Sequence, residues 1–198
     1  MKFLIVGLHC CGKQEVLDAL NDMGVRCGRL FSNIDNPSPD IYNSFNYDIF
    51  TTREIDEIFE NNAYIFINEL DKSSNVNSYK YFEGLTKYEF DNNDVFALSP
   101  NQFLSISPSA IKDDVCYIWL DSDKDGRISR YKKEKRTYSF SGREEIEKRD
   151  LDYFVKTLYN GNSNILYFIK EDPVRVATII YTLINHPELV ELYAKNFN

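Results

Sequence analysis

Seven residues near the start of the chain, Gly7-Leu8-His9-Cys10-Cys11-Gly12-Lys13, restrict what it can fold into more than any other feature. An apolar run, Lys2 to Val6, precedes them and reads as a buried strand of the parallel kind. Val16, Leu17, Leu20 and Met23 follow at helical spacing, and Gly24 supplies a helix stop. Strand, glycine-bounded turn and helix, in that order, form the setting in which G-x-x-x-x-G-K wraps backbone N–H groups around phosphate oxygens. The helix N-terminus adds positive potential, and a lysine at position 13 neutralises the terminal phosphates. Gly7, His9, Cys10, Cys11, Gly12, Lys13 and Gln14 are therefore the expected nucleotide contacts. His9 has two readings, a phosphate hydrogen bond or a ring turned outward while the backbone binds. Gln14 stands where a Ser or Thr hydroxyl ordinarily holds Mg²⁺, and Glu15 follows it. A metal ion would then be held by the Gln14 carbonyl oxygen, by Asp121, or through water.

Strand and helix signals alternate along the remainder. Val25–Phe31, Asn46–Phe50, Ala63–Leu70, Ser78–Leu85, Asp94–Leu98, Val115–Leu120 and Ile165–Ile169 read as strands. Thr51 with Glu54, and Ser141 with Glu144, have capping-box spacing ahead of apolar helix faces. Helices are expected at 124–135, 143–159, from Pro173 and from Pro187. The alternation predicts a three-layer α/β P-loop fold with a mostly parallel sheet.

Composition narrows the function classes. A hydrophobic fraction of 43% over 198 residues suits one folded domain, and no apolar stretch approaches the length of a membrane span. The N-terminus lacks a signal-peptide pattern, so a cytoplasmic location is the expectation. Four cysteines without C-x-x-C spacing argue against a zinc site and for reduced thiols. A net charge of −8 disfavours nucleic acid and anionic membranes as partners. Residues 124–149 nevertheless hold ten Lys or Arg against five Asp or Glu, a basic island in an acidic chain. Such an island is either a solvated helix face or a site for a compact anion. Asp121-Ser122-Asp123-Lys124-Asp125-Gly126 imitates a calcium loop, but Lys132 stands where the bidentate Glu belongs and a strand precedes it. Ser122 or Asp123 capping a helix is the preferred reading.

The order of elements resembles the guanylate kinase family and its phage-type deoxynucleoside monophosphate kinase relatives, over most of the chain and weakly in identity. Tyr47-Asp48-Ile49-Phe50 resembles the family's tyrosine-bearing strand, and Phe66-Ile67-Asn68-Glu69 the strand whose glutamate contacts the base. Tyr79 to Gly84 resembles the hairpin that contacts the acceptor phosphate. Arg127, Arg130 and Arg136 fall in the family's helix-and-lid region, and Arg143 and Arg149 open the next helix, where the family carries arginines that close over the transferred phosphoryl. The resemblance implies one domain, 1–198, with a core of 1–32 and 94–198, an acceptor-binding subdomain at 33–90 and a helical lid at about 124–142. It implies ATP and Mg²⁺ as cofactors, a (deoxy)nucleoside monophosphate as acceptor, and Arg29, Ser32, Tyr47, Glu69 and Tyr81 as acceptor contacts. Glu69, a carboxylate on an apolar strand, is expected to be buried with a partner. Two departures stand out. The family's Thr-Thr-Arg-x-x-Arg acceptor signature is absent before Tyr47, and Ser99-Pro100-Asn101-Gln102 replaces its aspartate-bearing segment. Gln14 and the missing acceptor arginines favour the alternative, a guanylate kinase-like nucleotide- or protein-binding module without catalysis; a homodimer is left open.

Overall fold

The computed structural model describes residues 1–33, 47–73, 78–107, 115–133, 140–142, 144–145, 148–149, 165–169 and 171–196. Its centre is a four-stranded parallel sheet. Strand β1 (Lys2–Val6) lies between β6 (Val95–Leu98) and β7 (Val115–Asp121), and β8 (Ile165–Ile169) pairs with the far side of β7. Near-continuous apolar runs suit such strands because both faces are covered. Phe3 and Ile5 face one layer, where helix α1 (Lys13–Asp22) packs Val16, Leu17 and Leu20. Helix α6 (Pro173–Asn185) adds Val176, Ala177, Ile180 and Leu183 to that layer, after the Asp172 side chain caps its first turn. A single 3₁₀ turn, Pro187–Leu189, leads into α7 (Val190–Asn196), which completes it with Val190 and Ala194.

Leu4 and Val6 face the opposite layer, which a second sheet fills. A second, mixed sheet runs β3 (Tyr47–Ile49), β2 (Leu30–Ser32), β5 (Ser78–Thr86), β4 (Tyr64–Ser73). Leu30, Phe66 and Leu85 from it pack on the underside of the central sheet with Phe96, Leu98 and Trp119. The expected strand over Val25–Phe31 is in fact divided between the sheets. Arg26 to Gly28 hydrogen-bonds to β6 through Asp94 and Val95, and the chain then crosses to become β2. Gly28 permits the crossing: a Cβ there would lie 2.0 Å from the Phe96 ring.

Helix α2 (Thr52–Glu60) begins at the Thr51–Glu54 capping box as its spacing predicts. Two short helices went unread in the sequence, α3 (Lys87–Asn92) after the Thr86 cap and α4 (Pro100–Leu104) after a Ser99–Gln102 capping box. Helix α5 (Lys124–Lys133) follows β7, with the Asp123 carboxylate accepting from the Gly126 N–H at 2.7 Å. The Asp-rich segment therefore leaves a strand and caps a helix, as preferred over a calcium loop. Most of the helix expected at 143–159 lies outside the described residues.

Candidate functional site

The glycine-rich loop leaves the C-terminal end of β1, the central strand, and enters α1 directly. Its start is tight: a Cβ on Gly7 would meet the Leu120 carbonyl oxygen at 2.3 Å. Cys10, with φ 56°, and Gly12, with φ 106°, take left-handed conformations that turn the backbone over the helix N-terminus. Lys13 folds across the loop, its ammonium donating to the Gly7 and Leu8 carbonyls at 2.6 and 2.8 Å. Cys11 is buried beside it and Cys10 is half-buried. Away from the loop, burial pushes the thiols of Cys27 and Cys116 up to about 12, a range in which neither is a nucleophile.

His9 turns toward the basic segment, its ring 4.8 Å from that of Phe140. Phe140 also meets Tyr131 edge-on at 5.4 Å, and the Arg127 guanidinium lies 5.6 Å from its ring centre. Arg127 is buried and donates to Glu144 at 2.8 Å. For the Glu144 carboxyl, burial acts to raise the pKa. Hydrogen bonds from Lys124 and Arg127, with the charges of Lys124 and Lys148, outweigh that and hold it below the ordinary carboxylate value. Arg127 thus pairs within the basic segment itself. Arg130, one turn on, reaches the phosphate loop instead. Its Nη2 would lie 3.6 Å from a Cβ on Gly12, while Nε and Nη1 donate to Glu15 at 3.0 Å and Ser122 at 3.1 Å. Arg149 is exposed on a helical segment, and Arg136 and Arg143 lie outside the described residues.

The two residues expected near a metal each make one hydrogen bond of their own. The Gln14 amide donates to Asp18 at 2.7 Å, and an Asp121 oxygen accepts from the Ser122 N–H at 2.7 Å. Among the described residues no three His, Cys, Asp or Glu side chains converge.

The second sheet carries a polar row. The Tyr47 hydroxyl donates to Glu83 at 3.2 Å and accepts from the Gln102 amide at 2.7 Å. Asn68 donates to the other Glu83 oxygen at 3.4 Å, and the Gln102 oxygen accepts from the Ser99 N–H at 2.8 Å. Ser32 stands opposite Glu83 in the ladder and is almost fully buried. This chain of bonds ties α4, at the end of β6, to β3, β5 and β4. Glu83, Asn68 and Gln102 were not anticipated as site residues. The Ser99–Gln102 capping spacing was the legible signal for the last, and the other two depend on strand pairing.

Glu69 departs from expectation: it is exposed, not buried. Asn68 pairs with Glu83 while Glu69 pairs with Phe82, so Glu69 lies on the opposite face of the sheet from the Tyr47–Glu83–Asn68 row. An irregularity in the ladder between Tyr64 and Phe66 sets this phase. Tyr81 is half-buried on β5, and Tyr79 and Lys80 carry no described side chain. Arg29 is held within the sheet, by Asp48 at 2.9 Å and by the Tyr47 carbonyl at 2.7 Å.

The arrangement defines a P-loop α/β fold with a second, mixed sheet that carries this polar row. Comparison of folds carries this one step further. The chain superposes on the crystal structure of guanylate kinase from Anaplasma phagocytophilum with a TM-score of 0.51, covering 94% of this chain and 85% of that one. Sequence identity is 11%, and the shared property is the guanylate kinase-like P-loop fold. No family model and no curated protein sequence matches the chain. Among the described residues no helix is long and apolar enough to cross a membrane.

Proposed function

We propose that the chain is a nucleoside monophosphate kinase that moves the γ-phosphoryl of ATP onto a (deoxy)nucleoside monophosphate. The observation that carries this reading is the pairing of two features: a G-x-x-x-x-G-K loop at the end of the central strand, and a lid arginine, Arg130, lying over its second glycine. Phosphoryl transfer asks a protein mainly for positioning and for positive charge around the moving group. The loop amides and Lys13 would hold the donor phosphates, and Arg130 would add charge from above. An acceptor phosphate is already an oxyanion at neutral pH, so no general base is required. The polar row of Ser32, Tyr47, Asn68 and Glu83 would hold the acceptor, Glu83 taking the carboxylate role expected of Glu69. Lid segments around Phe140 would exclude water from the transfer. Mg²⁺ would arrive bound to ATP, and no step is assigned to a metal held by side chains.

A coupled ADP-release assay with each common ribo- and deoxyribonucleoside monophosphate tests the proposal. Turnover with one acceptor, abolished by Lys13→Ala, is the expected result. One observation favours a second reading, a binding module that has lost catalysis: the Gln14 amide is committed to Asp18. ADP binding without turnover for any acceptor would select that reading.

A further inference from the structure

The two residues after Lys13 both depart from the hydroxyl chemistry that phosphate loops of this pattern ordinarily use. Gln14 is turned onto Asp18. Glu15, in the first turn of α1, reaches 115 residues along the sequence to Arg130, Oε1 to Nε at 3.0 Å. The Ser122 hydroxyl takes Nη1 of the same guanidinium at 3.1 Å. Two of its three nitrogens are thereby fixed by groups on different elements, α1 and the end of β7. The third, Nη2, is the one that lies against Gly12. A planar fork held at two corners has its remaining edge oriented in advance.

The ion pair is a poor device for stability. Side-chain exposure is 26% for Arg130 and 42% for Glu15, and exposed pairs of that kind contribute little. Its effect lies in where it puts a cation. We infer that Glu15 is a positioning residue that fixes Arg130 over the phosphate loop as a standing counter-charge for the terminal phosphates of a nucleoside di- or triphosphate. Phosphate binding here then needs no divalent cation held by the protein. This rests on the phosphate-loop reading above and adds to it. The cation role that a hydroxyl-bound metal plays elsewhere passes to an arginine, and the residue that places it sits beside the lysine.

The test is calorimetric titration of the full chain with ADP, in Mg²⁺ and in EDTA. Wild-type protein is expected to bind ADP in EDTA within about threefold of its affinity in Mg²⁺. Arg130→Met should weaken ADP by about ten- to a hundredfold, the loss of a charge-assisted phosphate contact. Glu15→Gln should weaken it by about three- to tenfold, with Glu15→Asp recovering part of the loss. The charge swap Glu15→Arg with Arg130→Glu separates positioning from packing. It keeps an ion pair in place and, because that pair contributes little to stability, leaves the melting temperature near wild type, but ADP affinity stays low. Three results would overturn the inference: binding that requires Mg²⁺, ADP affinity indifferent to Glu15 and Arg130 yet lost in Lys13→Ala, or full affinity in the swapped protein. Each of these leaves the phosphate-loop reading standing. Absence of ADP binding under both conditions overturns the two together.

Discussion

Replacing Tyr47 by Phe removes one oxygen atom and tests whether the polar row joins the second sheet to the core. The hydroxyl accepts from the Gln102 amide at 2.7 Å and donates to Glu83 at 3.2 Å. Gln102 is 5% exposed, so its Nε2 would lose this acceptor in a place water barely reaches. An orphaned buried donor costs about 1–3 kcal/mol, and the longer bond to Glu83 adds about 0.5–1 kcal/mol. A loss of about 1.5–4 kcal/mol follows, or roughly 3–16 °C in Tm for a domain of this size. Urea denaturation measures it as a lower midpoint with an unchanged m-value. The double variant Tyr47→Phe with Gln102→Leu should cost clearly less than the two single losses combined, because the Gln102–Tyr47 bond is then lost once and neither end of it is left orphaned. A Tyr47→Phe loss below about 0.5 kcal/mol, or strict additivity, would refute the argument, since both follow only if the Gln102–Tyr47 bond does not couple the sheets.

Two further outcomes are accessible to the same methods. Gly28→Ala drives a Cβ into the Phe96 ring, 2.0 Å away, and overpacking of this kind costs about 1–3 kcal/mol; an unchanged urea midpoint would mean that the crossing between sheets is not tight. Glu144 titrates below its unfolded value in the folded protein, so its contribution is full above the ordinary carboxylate range and fades as pH falls through the lowered pKa. The Tm gap between wild type and Glu144→Gln should therefore shrink on acidification from pH 7 to below about 4, and a constant gap would refute the ion-pair account.

What the amino-acid sequence determined by itself is whatever rests on residues within a turn of one another. The phosphate loop was legible because its glycines, the lysine and the flanking strand and helix signals are contiguous. The Thr51 and Asp123 caps, and the buried runs of β1, β6, β7 and β8, were legible for the same reason. The Ser99–Gln102 capping box is local too, with Pro100 at the first helical position. Tertiary structure alone decided which face each strand residue takes. Glu69 and Glu83 are both glutamates in strand sequence, and nothing local says which one joins Tyr47. Pairing and an irregularity near Ile65 decide it, because a one-residue shift in register exchanges the two faces of a strand. The partition of residues 26–32 between two sheets, and the meeting of Glu15 with Arg130, are likewise products of chain crossings. Distances along the sequence carry no trace of them, since hydrogen bonds and ion pairs form between whatever groups the packed core brings within reach.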